Sequence, residues 1–394
     1  MYSTVVNHTA DQALVSFATW RQVLLVLPMA LALGISSTTA AGAGSAVKSD
    51  RGFHYIHDEI RDIPWSIHIV KIDRTHPELQ LDTSLGYGST IGMSILSQQA
   101  RAVSADRGRA VAAINGDFYN ASRYYIGDPD GIQIMNGELI SGPNPNRVSV
   151  WVDAQGNPCH KLISSDFHVT WPDKKRTEIG LNEFRDIDAA VLYTKAIGAS
   201  TRTPYGLDLL LEQNGSAPWL PLAVGKTFSA RVKQVYPSGN APIAPNCMVL
   251  SLGPRVTPKP AKIEPGMVIE ISTSTKPEIT GAKSAIGGGP TLIEGGKPKQ
   301  WGGYQSRHPR SAVGWNKDFI YLVEVDGRQR SLSIGMTFPE LSQYMLKLGC
   351  QEAVNLDGGG SATLWVMGNV MNSPSQGGER PAANALVLLY KQKK

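Results

Sequence analysis

Glu352-Ala353-Val354-Asn355-Leu356-Asp357-Gly358-Gly359-Gly360-Ser361 reads as a buried strand that runs straight into a glycine loop. Functional groups concentrate where a rigid strand gives way to a loop, and Asp357 stands at that point. Three consecutive glycines permit backbone conformations closed to other residues, at an entropic cost to folding. Such a loop can turn the amides of Gly358, Gly359 and Gly360 toward one anion, with the Ser361 hydroxyl as a further donor. No Gly-Lys-Ser/Thr follows, so this is not a nucleotide P-loop.

The flanking segments give the strand its setting. On its N-terminal side, Thr337 and Glu340 form a capping box. Phe338, Leu341, Met345 and Leu348 supply one apolar helix face, and Gly349 offers a left-handed stop. On its C-terminal side, strands are expected over Ala362–Val366 and Ala385–Tyr390. The same grammar occurs once more, far upstream. The strand Ala110–Ile114 ends in Asn115-Gly116-Asp117-Phe118. Two carboxylates, Asp117 and Asp357, delivered from two strand ends suit general acid and base work on a glycosidic bond. Read alone, either aspartate is better explained as a turn residue bonding its own backbone, and the run of three glycines shifts that balance.

Between these two strand ends lie further candidates. Ala285-Ile286 leads into Gly287-Gly288-Gly289-Pro290 and a short strand at Thr291–Ile293. Arg307-His308-Pro309-Arg310 makes a rigid cationic turn, and arginine grips phosphate oxygens as a fork. The strand Phe319–Val325 ends in Asp326-Gly327-Arg328. Gly378-Glu379-Arg380-Pro381 adds another cation and a third carboxylate, Glu379. Upstream, Trp65–Ile72 alternates polar and apolar residues as a half-buried strand does. His68 sits inside that alternation and reads as a packed side chain. A helix is expected from about 93 to 105. Residues 148–282 look like a β-rich insertion of short strands broken by Gly, Pro and Asn, with no chemistry-bearing cluster.

Composition agrees with a strand-rich chain. Only 18% of the 394 residues are charged, against 40 glycines and 25 prolines. That excludes a helical bundle and a disordered chain. The net charge of +5 comes without a dense basic stripe, which argues against nucleic acid as a partner. Arg21, the apolar run 23–35 and the small residues 36–46, with Ala41-Gly42-Ala43, read as a signal peptide. Thirteen apolar residues are too few for an ordinary membrane span. The expectation is therefore a signal peptide and linker over 1–47, N-terminal strands and a helix over 48–104, and a catalytic domain over 105–394. The location follows as periplasmic or extracellular, with membrane contact only through an uncleaved N-terminal segment. Cys159, Cys247 and Cys350 form no Cys-x-x-Cys motif; an oxidising compartment permits one disulfide, and Cys350 reads as a buried free thiol.

Taken together, the ordered set resembles a known family. Asn115-Gly-Asp-Phe118, Gly287-Gly288-Gly289-Pro-Thr-Leu, Arg310-Ser-Ala-Val-Gly314, Val325-Asp-Gly-Arg328-Gln and Asn355-Leu-Asp-Gly-Gly-Gly-Ser361 occur in the order and spacing of the phosphodiester glycosidase family. This is the domain of N-acetylglucosamine-1-phosphodiester alpha-N-acetylglucosaminidase and of bacterial exopolysaccharide-related exported proteins. The resemblance covers roughly residues 105 to 390. It implies hydrolysis of a sugar-1-phosphodiester at the anomeric C–O bond. The fold expected is α+β, with mixed, mainly antiparallel sheets and a few flanking helices.

The residues read from the chain fit that reaction. Asp357, Asp117, Arg310 and Glu379 are the catalytic candidates. Asn115, Gly288, Gly289, Arg307, His308, Arg328, Asn355, Gly358, Gly359, Gly360, Ser361 and Arg380 are candidates for holding the carbohydrate-phosphate substrate, which an envelope polymer could supply. No cofactor is required on this reading. Two alternatives stay open: a phosphodiesterase holding Mg²⁺ or Ca²⁺ on Asp117, Asp326 and Asp357, and a non-catalytic module that binds envelope polysaccharide.

Overall fold

The computed structural model describes residues 47–48, 52–121 and 125–391. The expected signal segment, like the cleavage pattern at Ala41–Ala43, lies outside the described residues. Among those residues no helix is long and apolar enough to cross a membrane.

Two sheets face one another across a shared core. The first has eight strands, in the order Val47–Lys48, Phe53–Ile60, Trp65–Asp73, Phe319–Val325, Arg310–Trp315, Glu352–Asn355, Thr291–Glu294 and Lys297–Pro298. The second has five: Asn369–Val370, Leu364–Val366, Arg109–Asn115, Asn384–Tyr390 and Leu79–Leu85. All their pairings are antiparallel. Val70, Ile72, Leu322, Val313 and Val354 from the first meet Ala112, Ile114, Leu364, Leu386 and Leu388 from the second. A five-stranded sheet containing Val148–Val152 and Ser284–Gly287 adjoins this core.

Strand alternation explains which side chains go where. Ile67, Ile69, Val323 and Val325 point away from the shared core, toward Leu341 and Met345 of the helix Phe338–Lys347. The intervening positions face inward: Val70, Ile72, Ile320 and Leu322 are apolar. Ser66, His68, Glu324 and Asp326 continue the same face and are buried but polar. The inward face thus turns polar at one end of the sheet, and that end is where the candidate site lies.

Residues 164–276 build the whole of a separate eight-stranded sheet around its own core of Trp171, Leu209, Leu250 and Ile271. It is antiparallel except where Gly180–Leu181 runs parallel to Ala190–Tyr193. The edges of the expected insertion do not behave as an insertion. Val148–Val152 pairs with Ser284–Gly287 and so belongs to the body that carries the site.

The chain is more sheet-dominated than α+β suggests, since only two α-helices occur among the described residues. The helix at Phe338–Lys347 carries the expected capping box, with Thr337 and Glu340 satisfying each other's backbone amides. The helix expected over 93–105 shrinks to Leu96–Arg101. The segment before it is held in a bridge between Ser94 and Ala382, and its N-cap position, Ile95, has no side chain able to cap. The strand expected from Ala362 starts at Leu364, because Gly359–Ser361 coils into a 3-10 turn first. All three cysteines are free, and burial pushes the Cys350 thiol up to about 12.

Candidate active site

The two Asp-bearing strand ends meet. Arg109–Asn115 belongs to one sheet and Glu352–Asn355 to the other, and the Asp357 amide donates to the Gly116 carbonyl at 2.9 Å. Asn115 locks the junction. Its Nδ2 donates to the Asp357 carbonyl at 2.6 Å, while its Oδ1 accepts from Ser311 Oγ at 2.6 Å and the Thr363 amide at 3.1 Å. Asn355 does similar work one strand over, donating to the carbonyls of Gly289 and Leu356 at 2.9 and 2.6 Å. Both asparagines are buried scaffold, each amide nitrogen donating to backbone carbonyls.

Asp357 reaches the surface. Its side chain is 12% exposed and lies 3.2 Å from Arg380, whose own side chain is 34% exposed. Arg380 also donates to Ser361 Oγ through Nε at 3.0 Å and through Nη2. Asp357 Oδ1 accepts from the Gly358 amide at 2.9 Å. Burial raises the Asp357 carboxyl above its ordinary value, while Ser361, Arg380 and the Gly358 amide oppose that shift.

Asp117 is different in kind. Its side chain is 0% exposed, and Oδ1 takes a hydrogen bond from Arg147 at 2.9 Å and from the Phe118 amide at 2.8 Å. Its Oδ2 has no partner and is packed against Gly131 and Gly287. Burial pushes the carboxyl up to about 7, with Arg147 pulling the other way. Arg147, at the start of an ordinary strand, carried no sequence signal, yet its guanidinium stacks on Phe118 at 4.2 Å. It also lines a groove of about 660 Å³ with Gly288, Gly289, Lys161 and Lys299.

A raised pKa in the folded state has a definite sign. The folded chain holds this proton more tightly than the unfolded chain, so the group's contribution is full below about pH 4 and is lost as pH rises toward 7. Asp117→Asn removes the titration. Its melting temperature relative to wild type is expected to climb by roughly 5 °C between about pH 4 and about pH 8. Thermal melts of the two proteins across that range check this; parallel curves would count against it.

The basic turn divides its residues between two tasks. Arg307 turns away and pairs with Glu340 at the start of the helix Phe338–Lys347. Arg310 is buried, donates to the carbonyls of Met336 and Ser306 at 2.9 and 3.1 Å, and lies 4.0 Å over the Phe338 ring. Burial first, and then Arg328, lower it to about 10. It pins the turn from behind. Arg328 is the exposed member, 3.3 Å from His308 Nδ1, and its guanidinium lies beside Gly359. Burial, then Arg310 and Arg328, lower the His308 pKa, which favours a neutral ring. Arg328 has φ of 62°, a left-handed conformation uncommon outside glycine, as a residue fixed for its position often shows.

Three expectations need correction. The glycine loop is not an open anion nest. The Gly358 amide serves Asp357, that of Gly359 serves the Pro309 carbonyl at 2.9 Å, and that of Ser361 serves Gly358 at 3.1 Å. Gly359 (φ 61°) and Gly358 are needed instead for close packing against Arg328 and the Pro309 carbonyl. Glu379 is not among the reacting groups. It accepts from the Ser97 amide at 2.8 Å and the Ser97 hydroxyl at 2.5 Å, capping the short helix Leu96–Arg101 from far along the chain. Nor do Asp117, Asp326 and Asp357 form one ligand set, for each carboxylate is held by different partners. Asp326 turns inward to His68, Ser66 and Ser373.

Comparison with known proteins agrees with the terminal motifs. Residues 231–389 match the sequence model of the phosphodiester glycosidase family, NAGPA. The SPbeta prophage-derived uncharacterized protein YomE of Bacillus subtilis (strain 168) is 34% identical over 116 residues, 28% of this chain and 18% of that protein. The match thus spans under a fifth of that relative's length. Among solved structures, a hypothetical protein from Synechocystis aligns over 89% of this chain and 64% of its own, at 22% identity and a TM-score of 0.69. A candidate exported protein of Burkholderia pseudomallei K96243 aligns over 82% of this chain and 74% of its own, at 24% identity and a TM-score of 0.65. These two likenesses establish the fold.

Proposed function

We propose that this chain, whose residues 231–389 belong to the phosphodiester glycosidase family, hydrolyses a sugar-1-phosphodiester outside the cytoplasm, releasing free sugar and a phosphomonoester. The observation that carries the reading is the cluster around the glycine loop. A largely buried carboxylate, Asp357, is paired with Arg380 and flanked by Arg328 at Gly359. The export of the chain rests on the sequence of residues 21–46.

The chemistry divides naturally over these groups. A departing phosphomonoester has a second pKa near 6, so it needs less protonation than a sugar alkoxide. Fixed positive charge stabilises it as the bond breaks. Arg380, partly exposed, and Arg328, exposed, flank the loop and take this role; His308 lies against Arg328, and Arg310 braces the turn that carries His308. Asp357 acts on the anomeric side, as base toward water or as nucleophile. It must be ionised for either task, so activity rises with pH as this carboxyl loses its proton, at a pH raised by burial above that of an exposed aspartate. Asp117 stays behind the surface and fixes Arg147 at the groove, where the remainder of the substrate lies.

Product analysis tests the reaction class. The purified protein is incubated with a panel of sugar-1-phosphodiesters, and products are separated by anion-exchange chromatography. Free sugar plus a phosphomonoester is the expected result. Sugar-1-phosphate plus an alcohol would place the cut on the other side of phosphorus and overturn the proposal, as would the absence of turnover across the panel.

A further inference from the structure

Beneath the loop that carries Arg328 lies a buried cluster that the proposed reaction does not use. His68 and Glu324 are direct cross-strand partners, and Asp326 follows two residues after Glu324 on the same face. One ligand atom from each of the three lies within 4.8 Å of the others. All three residues are buried. From this geometry we infer that His68, Glu324 and Asp326 form a buried site for one divalent ion such as Zn²⁺ or Mn²⁺, which anchors the Arg328 loop rather than joining the chemistry.

Three observations support the site. The first is Glu324, which is fully buried with neither carboxylate oxygen closing a hydrogen bond. The Asn372 side chain approaches Glu324, but its amide donates within hydrogen-bond geometry to Asp326 Oδ1 at 3.4 Å and the Ala362 carbonyl at 3.1 Å. An interior carboxylate without partners is costly, and coordination to a cation is one of the few ways to satisfy it. The second is charge. Among the described residues no lysine or arginine pairs with Glu324 or Asp326; the only basic partner is His68, 3.1 Å from Asp326. A divalent ion would balance both carboxylates.

The third is the arrangement behind the ligands. Tyr55 OH lies 2.8 Å from His68 Nδ1, leaving Nε2 on the side of Asp326. Metal-bound histidines are oriented in this way, with the second ring nitrogen hydrogen-bonded to a fixed group. The tyrosine hydroxyl can accept from Nδ1–H when Nε2 gives its lone pair to the ion. Asp326 is held in turn by Ser66 Oγ at 3.0 Å and the Ser373 amide at 2.8 Å. One imidazole and two carboxylates suit Zn²⁺ or Mn²⁺ better than Ca²⁺, which prefers six or more oxygens. Modest side-chain rotation would bring the three atoms onto bonds of about 2.0–2.2 Å. The link to the surface is short. Asp326 precedes Arg328 by two residues, and its Oδ1 also ties down Ser373, whose hydroxyl and carbonyl hold Gln329.

The test needs no substrate, so its outcome is separate from that of the hydrolase proposal. The full chain is stripped with chelator, loaded with Zn²⁺ or Mn²⁺ in parallel with Mg²⁺, desalted, and assayed for metal by mass spectrometry and for affinity by calorimetry. About one Zn²⁺ or Mn²⁺ per chain is expected, with no retained Mg²⁺. Glu324→Gln, which preserves shape, should lose at least about tenfold in affinity, and Tyr55→Phe about 10- to 100-fold. Circular dichroism establishes that each variant is folded; should the glutamine variant fail to fold, Tyr55→Phe carries the test. A wild-type chain that retains no ion overturns the inference. So does a folded Glu324→Gln or Tyr55→Phe chain that binds as tightly as wild type.

Discussion

Asp357→Asn is expected to lower kcat on a sugar-1-phosphodiester by about 10²- to 10⁴-fold, the usual contribution of a positioned acid, base or nucleophile. The substitution is nearly isosteric. Its amide oxygen can still accept from the Gly358 amide, as Oδ1 does at 2.9 Å. The backbone bonds of residue 357, to Gly116 and from Asn115, do not involve the side chain. What disappears is the negative charge opposite Arg380. The carboxyl is already pushed toward its neutral form by burial, so loss of the charge should cost little stability. Steady-state kinetics beside a thermal melt separates the two effects. If the folded variant keeps more than about a tenth of wild-type kcat, Asp357 is not the reacting carboxylate. The anomer first released by the wild-type protein, read by proton NMR, then tells its two roles apart: net inversion is expected of a base toward water and net retention of a nucleophile.

How much of this site was readable in the chain depends on how local its causes are. The strands at Phe319–Val325 and Glu352–Asn355 follow from apolar runs bounded by turn residues. The capping box at Thr337 needs only four residues to specify it. The two strand ends that carry Asp117 and Asp357 share a local grammar, and they meet through the Asp357 amide and the Gly116 carbonyl. Roles were harder to read, because they depend on partners distant in sequence. Glu379 looks like a catalytic carboxylate until Ser97, 282 residues away, is found to take both of its oxygens. Arg307 and Arg310 look like a phosphate fork, yet one serves Glu340 and the other two carbonyls. Arg147 looks like nothing, because an arginine at a strand start has no local signature. His68 reads correctly as a packed side chain, but its alternation hides that Glu324 and Asp326 share its face. The three glycines of the loop drew attention for their amides; the folded chain uses them for lack of a side chain.

Gly287 is likewise required for its lack of a side chain. A Cβ built there would lie 2.7 Å from Asp117 Cγ and 2.9 Å from Gly131 Cα, and closer still to Asp117 Oδ2. Both neighbours are confined. Asp117 is fixed by Arg147 and the Phe118 amide, and Gly131 meets it through backbone, which cannot rotate aside. Overpacking of this kind costs about 1–3 kcal/mol and sometimes more, and a site with two rigid neighbours belongs at the upper end. Gly287→Ala is therefore expected to lower the unfolding free energy by about 3 kcal/mol, measured by urea denaturation. Gly302→Ala, where a new Cβ meets nothing within 4 Å, should stay within about 0.5 kcal/mol of wild type. The cause is testable apart from the size. Asp117→Ala removes the carboxyl that the new methyl strikes, so the double variant should be more stable than the sum of the two single effects predicts. Strict additivity would mean that Gly287 matters for some reason other than Asp117. Activity should fall with stability in the single variant. A displaced Asp117 carries Arg147 with it, and Arg147 lines the groove beside Gly288 and Gly289.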